Sequence, residues 1–263
     1  MDLEQVRAAA SILSSACLEG RRIDKLPEAC RPATLEEGYR IQAELEALSG
    51  QRLWGWKIAA TSLFGQKHIG VDGPLAGRLL QGRVAASPSS FSLSGNGMGV
   101  IEAEFAFSMG RDLPGRGEDY SVAEVMAAVA ALHPAIEVPD SRFEDYARAG
   151  AAQLVADNAC ASYFCCGPAT SAQWRALDLS AHPVSVSING KLAAQGSGAN
   201  VLGDPRVALT WLANELIKRG MALRTGQVVT TGTTMTPAPV VAGDHVTADF
   251  GALGKAEVVL LAG

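Results

Sequence analysis

The 263-residue chain has no apolar run approaching the roughly 18 residues of a membrane-spanning helix, so no membrane association of that kind is expected. It also lacks a basic run. Lysine and arginine total 22 against 27 acidic residues, for a net charge of −5. Tracking the phosphates of a nucleic acid needs clustered cations, so that partner is excluded. Cysteine is scarce, five in all, and Cys160, Cys165 and Cys166 lack the Cys-x-x-Cys spacing of a zinc site. An odd count without disulfide-scaffold spacing points to reduced thiols and a cytoplasmic setting. The opening Met1-Asp2-Leu3-Glu4 is acidic and does not read as a signal peptide. The four histidines, His68, His133, His182 and His245, are scattered without ligand spacing, although His68 lies near a Gly-rich loop. There is no phosphate loop and no Gly-x-Ser-x-Gly elbow. Gly95-x-Gly97-x-Gly99 precedes a strand-like run, whereas a dinucleotide fingerprint precedes a helix.

With 48% hydrophobic and 19% charged residues, the chain can bury a sizeable core. Apolar spacing of 3 and 4 predicts a helix over 2–19, from Leu3 through Val6, Ala9, Ala10 and Leu13. Thr34 with Glu37 forms a capping-box pattern for a second helix over 34–49. Their charged outer faces suit an outer layer or a subunit interface. Further helices are expected over 121–132, capped by Ser121, and 205–219, with Pro205 in its first turn. Strands are expected over 54–60, 100–109, 134–138, 184–189, 227–231, 245–250 and 255–261. Segment 139–166 fits helix or strand. The class is α+β, divided into an N-terminal helical segment 1–50 and a strand-rich domain 51–263.

The chemistry is concentrated in a few polar residues inside apolar strands. Glu102 and Glu104 stand in Val100-Ile101-Glu102-Ala103-Glu104-Phe105. Strand side chains alternate, so both carboxylates share a face, with Cβ atoms about 6–7 Å apart. Unscreened by a partner, they repel by about 2.5 kcal/mol at an effective dielectric near 20. Two readings compete: exposed acids on an edge strand, or a buried pair holding a cation. Small Ala106 and Ser108 continue the acidic face, and Ile101, Ala103, Phe105 and Phe107 fill the other, so both faces look covered. Glu137, in Ala135-Ile136-Glu137-Val138, adds a third acid. Three carboxylates without His or Cys favour a hard dication, Mg²⁺ or Mn²⁺. Lys57 stands between Gly55 and Ala59 on its strand face. It either snorkels to the surface or lines a cavity, where burial would lower its pKa and suit it to proton transfer. Asp157-Asn158, after Leu154-Val155-Ala156, reads most simply as a turn, and Arg142 and Arg148 as surface charges.

In order along the chain, Gly55-Trp56-Lys57-Ile58, Ile101-Glu102-Ala103-Glu104, Pro134-Ala135-Ile136-Glu137, Ala156-Asp157-Asn158-Ala159, Thr231-Gly232-Thr233 and Ala242-Gly243-Asp244-His245-Val246 resemble one family. It is the 2-keto-4-pentenoate hydratase and 4-oxalocrotonate decarboxylase branch of the fumarylacetoacetate hydrolase superfamily. The resemblance spans about residues 34 to 261. It implies a mixed β-roll core with flanking helices and an N-terminal helical segment. It implies Glu102, Glu104 and Glu137 as ligands of Mg²⁺ or Mn²⁺, and Lys57 as a substrate-contacting, proton-moving residue. Asp157 and Asn158 become part of the pocket wall, with Asp157 orienting water, and Thr233 a hydroxyl near the substrate. The implied activity is hydration of a 2-hydroxy-2,4-dienoate to a 4-hydroxy-2-oxo acid, in a homo-oligomer serving aromatic catabolism. A decarboxylase, an acylpyruvate hydrolase and an oxaloacetate tautomerase are the alternatives. A hydrolase is disfavoured, since no His-Glu dyad occurs near residues 55–75. One departure stands out: where many such hydratases carry an acid in an Asp-Phe-Gly-like segment, this chain reads Leu75-Ala76-Gly77.

Overall fold

The computed structural model describes all 263 residues. The chain opens with α1 (Leu3–Leu18) and α2 (Leu35–Ser49), then β1 (Leu53–Ala59), α3 (Leu63–Ile69) and β2 (Leu75–Leu80). Strands β3 (Val84–Ala86), β4 (Ser89–Ser92) and β5 (Val100–Met109) lead to α4 (Val122–Ala128) and β6 (Val129–Val138). Next come α5 (Ala151–Ala156), β7 (Tyr163–Cys166), β8 (Pro183–Ile188), β9 (Lys191–Ser197) and α6 (Pro205–Lys218). The chain closes with β10 (Val228–Thr233), β11 (Ala238–Pro239), β12 (His245–Asp249) and β13 (Lys255–Leu261). No helix is long and apolar enough to cross a membrane.

Two curled sheets build the roll. The larger runs β2-β1-β10-β5-β6-β7-β3, with β11 added to β5; the smaller runs β4-β13-β12-β8-β9. β5 separates two packing environments. Ile101, Ala103, Phe105 and Phe107 face the main core, which takes in α4, α6 and the second sheet. Phe105 meets Phe250 edge to face at 5.1 Å, a favoured aromatic geometry. The alternate face packs Ala106 with Leu79, Ala135, Phe164 and Val228. The period-2 pattern thus places an apolar cover on each side of the acidic strand.

The second helix carries the expected capping box of Thr34 with Glu37, and the first carries one not expected from the sequence, Asp2 with Gln5. Their core of Val6, Ala9, Ala10, Leu13, Leu26 and Ile41 also takes in Phe143 and Ala156 from the strand-rich part. One expected element is different. The Ala-rich run expected as a helix over 121–132 is helical only to Ala128, after which β6 runs unbroken to Val138. Val129, Ala131 and Leu132 pair with Met109, Ser108 and Phe107 of β5. Tertiary pairing here overrides local helix propensity.

Candidate active site

Strand register assembles the acids. Glu102 and Glu104 lie two apart on β5, and Glu137 on β6 stands directly opposite Glu102. One carboxylate oxygen from each lies within 4.8 Å of the others. Glu104 and Glu137 are fully buried, and Glu102 is partly so. Glu104 is fixed by a local distortion. The β5–β10 register slips between Thr230 and Thr233, which turns the Gly232 N–H to donate to Glu104 Oε2 at 2.7 Å, beside the Thr230 hydroxyl. Gly232 has φ +101, and a Cβ there would lie 2.1 Å from Thr61 Oγ1, so only glycine fits.

The remaining oxygens have little to bind. Glu104 Oε1 and Glu137 Oε2 have no hydrogen-bond partner, and Glu137 Oε1 has the Lys57 ammonium at 3.1 Å. Burial, then the charges of Glu137 and Glu102, hold the Glu104 carboxyl well above its usual pKa. Burial and Glu137 push Glu102 up to about 7, against the pull of Lys57. Burial also raises Glu137, again against Lys57. Three clustered carboxyls, two of them fully buried with orphaned oxygens, and one cation are short of positive charge, and a hard dication with oxygen preference fits that deficit.

Lys57 is 2% exposed, so the cavity-lining alternative holds over snorkelling. Its Nζ donates to the Ala159 carbonyl at 3.0 Å. The expected lowering of its pKa does not occur. Burial opposes the charge, but Glu137, Glu102 and Glu104 together outweigh it and hold the pKa above the ordinary lysine value. Its stem fits because Gly77 lies opposite on β2. A Cβ at Gly77 would come 2.9 Å from Lys57 Cγ and 2.6 Å from the Asn158 carbonyl oxygen. The Leu75-Ala76-Gly77 segment therefore makes room for the lysine, and Leu75 itself is buried in the main core.

Asp157 and Asn158 are placed differently from the expectation that they wall the pocket. Neither lines the cavity. Asp157 is fully buried, accepting from the Ser141 hydroxyl at 2.7 Å, the Arg142 N–H at 2.9 Å and the Arg142 guanidinium. Its oxygens are occupied, so it has none to orient a water. Arg142 is accordingly no surface charge but 6% exposed, while Arg148 is exposed. Asn158 clamps β2, accepting from the Arg78 N–H at 2.7 Å and donating to the Arg78 carbonyl at 2.9 Å. Between these anchors, Asn158, Ala159 and Cys160 all adopt left-handed backbone, φ 58, 50 and 61. Such conformations cost about 1–2 kcal/mol per residue. The strained turn aims the Ala159 carbonyl at Lys57, so the segment positions the lysine from behind.

A cavity of about 460 Å³ opens beside the cluster, lined by Lys57, Glu102, Thr233, Cys160, His68 and Tyr146 among others. Thr233 pairs with Glu104 across the strands, and its hydroxyl donates to the Met235 carbonyl at 2.9 Å. Burial pushes the Cys160 thiol up to about 12, so it is an inert wall group. Cys160 and Tyr146 carried no motif in the sequence, and only their proximity in space marks them.

The model for the fumarylacetoacetate (FAA) hydrolase C-terminal domain matches residues 87–260, and the chain belongs to that family. It is 33% identical over 234 residues to a 2-keto-4-pentenoate hydratase of Burkholderia vietnamiensis, covering 88% of each chain. It is 31% identical over 249 residues to a 2-hydroxyhexa-2,4-dienoate hydratase of Comamonas testosteroni, covering 93% of each. A 4-oxalocrotonate decarboxylase from Pseudomonas putida G7, solved with magnesium and adipate, superposes with a TM-score of 0.89 at 29% identity and 99% coverage of each chain. The mixed helix-and-sheet roll expected from the sequence is the fold the chain shares with that decarboxylase.

Proposed function

We propose that the chain is a divalent-metal-dependent hydro-lyase that converts a 2-hydroxy-2,4-dienoate to a 4-hydroxy-2-oxo acid. One observation carries this reading: Glu102, Glu104 and Glu137 bring one carboxylate oxygen each within 4.8 Å of the others, the last two fully buried with orphaned oxygens, behind a cavity wall that Glu102 and Lys57 line. The hydratase relatives, aligned over nearly the full chain, support it. Glu102, Glu104 and Glu137 would hold Mg²⁺ or Mn²⁺. The ion, when bound, supplies Lewis acidity to the carboxylate and 2-oxo oxygens of the substrate. Lys57 holds a transferable proton at the cavity wall, and Thr233 offers a hydroxyl oxygen beside it. The dienol first ketonises, its hydroxyl proton being replaced by one at C5. Water then adds across the conjugated double bond, oxygen to C4 and hydrogen to C3. Gly232 and Thr230 orient Glu104, while Asn158 and the Asp157–Arg142 pair orient Lys57.

A decarboxylase is the second reading, favoured by the full-length superposition on the P. putida enzyme. Incubation with 2-hydroxypenta-2,4-dienoate and Mg²⁺, followed by product identification, tests the first. Appearance of 4-hydroxy-2-oxopentanoate is expected, and an unchanged dienoate refutes it. The same reading includes a catalytic domain over 51–263 preceded by the helical segment 1–50. It includes a homo-oligomer, supported by exposed Leu3, Leu18, Leu35 and Leu48 on the first two helices and measurable by sedimentation. A reducing cytoplasm suits its five free cysteines.

A further inference from the structure

Three strand ends lead away from the acidic cluster at the same edge of the large sheet. β1 runs parallel to β10, and β5 runs antiparallel to it. The chain therefore leaves Lys57 toward α3, leaves Thr233 toward Met235 and Pro237, and approaches Glu102 from Met98 and Val100. All of these outer positions line the cavity: Phe64 and Ile69 from α3, with Met98, Val100, Met235 and Pro237. Val100 shares the face of Glu102, one step further out. The cavity is thus acidic and cationic at one end and apolar at the other.

No cation serves that outer end. Lys57 is the only lysine or arginine in the wall, and it is committed to Glu137 and the Ala159 carbonyl. A dication and Lys57 together neutralise the three glutamates, leaving no positive charge to spare. His68 stands at the exposed rim, with its ring stacked on Phe64 at 6.3 Å and Tyr146 set against it edge-on at 6.0 Å.

We propose that this outer wall selects 2-oxo acids with an uncharged, apolar tail and rejects those that carry a second carboxylate at the tail. The proposal rests on the 2-oxo acid reading above and adds the chemistry of the far end. A tail carboxylate brought against Val100, Met98 and Met235 loses hydration with no cation to replace it. A hydrocarbon tail gains instead, about fourfold in affinity per buried methylene. 4-Oxalocrotonate is a diacid and a pentadienoate is not, so the two differ in binding at this wall whichever reaction follows.

Calorimetric titration of the Mg²⁺-loaded full-length protein tests this with three probes: pyruvate, 2-oxohexanoate and 2-oxoadipate. The last two match in length and differ only in the terminal carboxylate. An apolar wall also speeds CO₂ loss from a diacid forced into it, so the readout is binding rather than turnover. 2-Oxohexanoate is expected to bind more tightly than pyruvate and at least about tenfold more tightly than 2-oxoadipate. Phe64 is 71% exposed, so Phe64→Arg should fold and add the missing cation at the rim. It is expected to narrow the discrimination about fivefold. If pyruvate binds but 2-oxoadipate equals 2-oxohexanoate, the tail proposal is overturned and the 2-oxo acid reading survives. If none of the three binds although Mg²⁺ does, that reading fails and takes the proposal with it. Unchanged discrimination in Phe64→Arg removes the assignment of the tail to this wall.

Discussion

Replacing Glu104 by Gln should have opposite effects on the metal-free and metal-loaded protein. Glu104 Oε2 accepts from Gly232 and Thr230, whereas Oε1 has no partner. In Glu104→Gln the amide oxygen takes the Oε2 place, since two donors face it, and the NH₂ replaces Oε1. The fold keeps its hydrogen bonds, but the site presents a donor where the ion needs an acceptor. Without metal, the variant removes one buried acid whose charged form burial disfavours, so its stability should equal or exceed that of the parent. With metal, the sign reverses. Loss of an outer partner of a metal ligand costs about 10–100-fold in affinity, and loss of a direct ligand should reach at least about 100-fold.

Thermal denaturation reads this difference. An ion present at 100 times its Kd stabilises the folded state by about 2.7 kcal/mol. For a chain of this size, that raises Tm by roughly 5–10 °C. At the same concentration, a 100-fold weaker site leaves about 0.4 kcal/mol and roughly 1 °C. Scans in Mg²⁺, Mn²⁺ and EDTA, with calorimetric titration of the ion, give both numbers. A variant that keeps the full metal-induced rise, or whose ion affinity is unchanged, would remove Glu104 from the site and with it the metal reading.

Lys57→Ala should lower kcat by roughly 10²–10⁴-fold, the usual range for a lost proton carrier, with a far smaller change in ion affinity; equal losses in both would mark a structural lysine. Asp157→Ala strands the buried Arg142 charge and should cost about 3–5 kcal/mol in denaturant unfolding, so a loss below about 1 kcal/mol would contradict the buried pair. Gly77→Ala should cost about 1–3 kcal/mol through overpacking and lower kcat more than it raises KM, by shifting Lys57; wild-type kcat would show that the close approach is harmless. In metal-free protein the Glu102 pKa is raised to about 7. The folded state then binds more protons than the unfolded one between about pH 4.5 and 7, and metal-free stability falls as pH rises through that window. A dication must displace that proton, so its affinity should drop below pH 7 and its binding at pH 6 should release protons; calorimetry in buffers of different ionisation heat detects them, and pH-independent affinity would contradict the buried carboxyl.

Much of the acidic cluster is legible in the sequence because strand periodicity carries directional information. Glu102 and Glu104 had to share a face, and apolar neighbours on the other face argued that both were covered. Register supplied what periodicity could not: Glu137 meets Glu102 only because β6 pairs antiparallel with β5 at that offset. The start of β6 departs from the expected helix for the same reason. Val129 to Leu132 has helical composition, and only its partner strand makes it extended.

Asp157 shows where inference from single residues stops. An acid ending an apolar segment reads as a turn, and the family resemblance makes it part of the pocket wall, but a charge takes its role from what faces it. Its partner, Arg142, stands in a loop that reads as surface, and nothing local says that the two are buried together. The consequence reaches the site through the backbone. The pair and the Asn158 clamp hold three left-handed residues in place, and the Ala159 carbonyl they present fixes the ammonium that the carboxylates need. On the proposed role of Lys57, the Asp157-Asn158 segment would act on the reaction through the aim of that ammonium, and a substitution there should misplace the proton before it disturbs a bound ion.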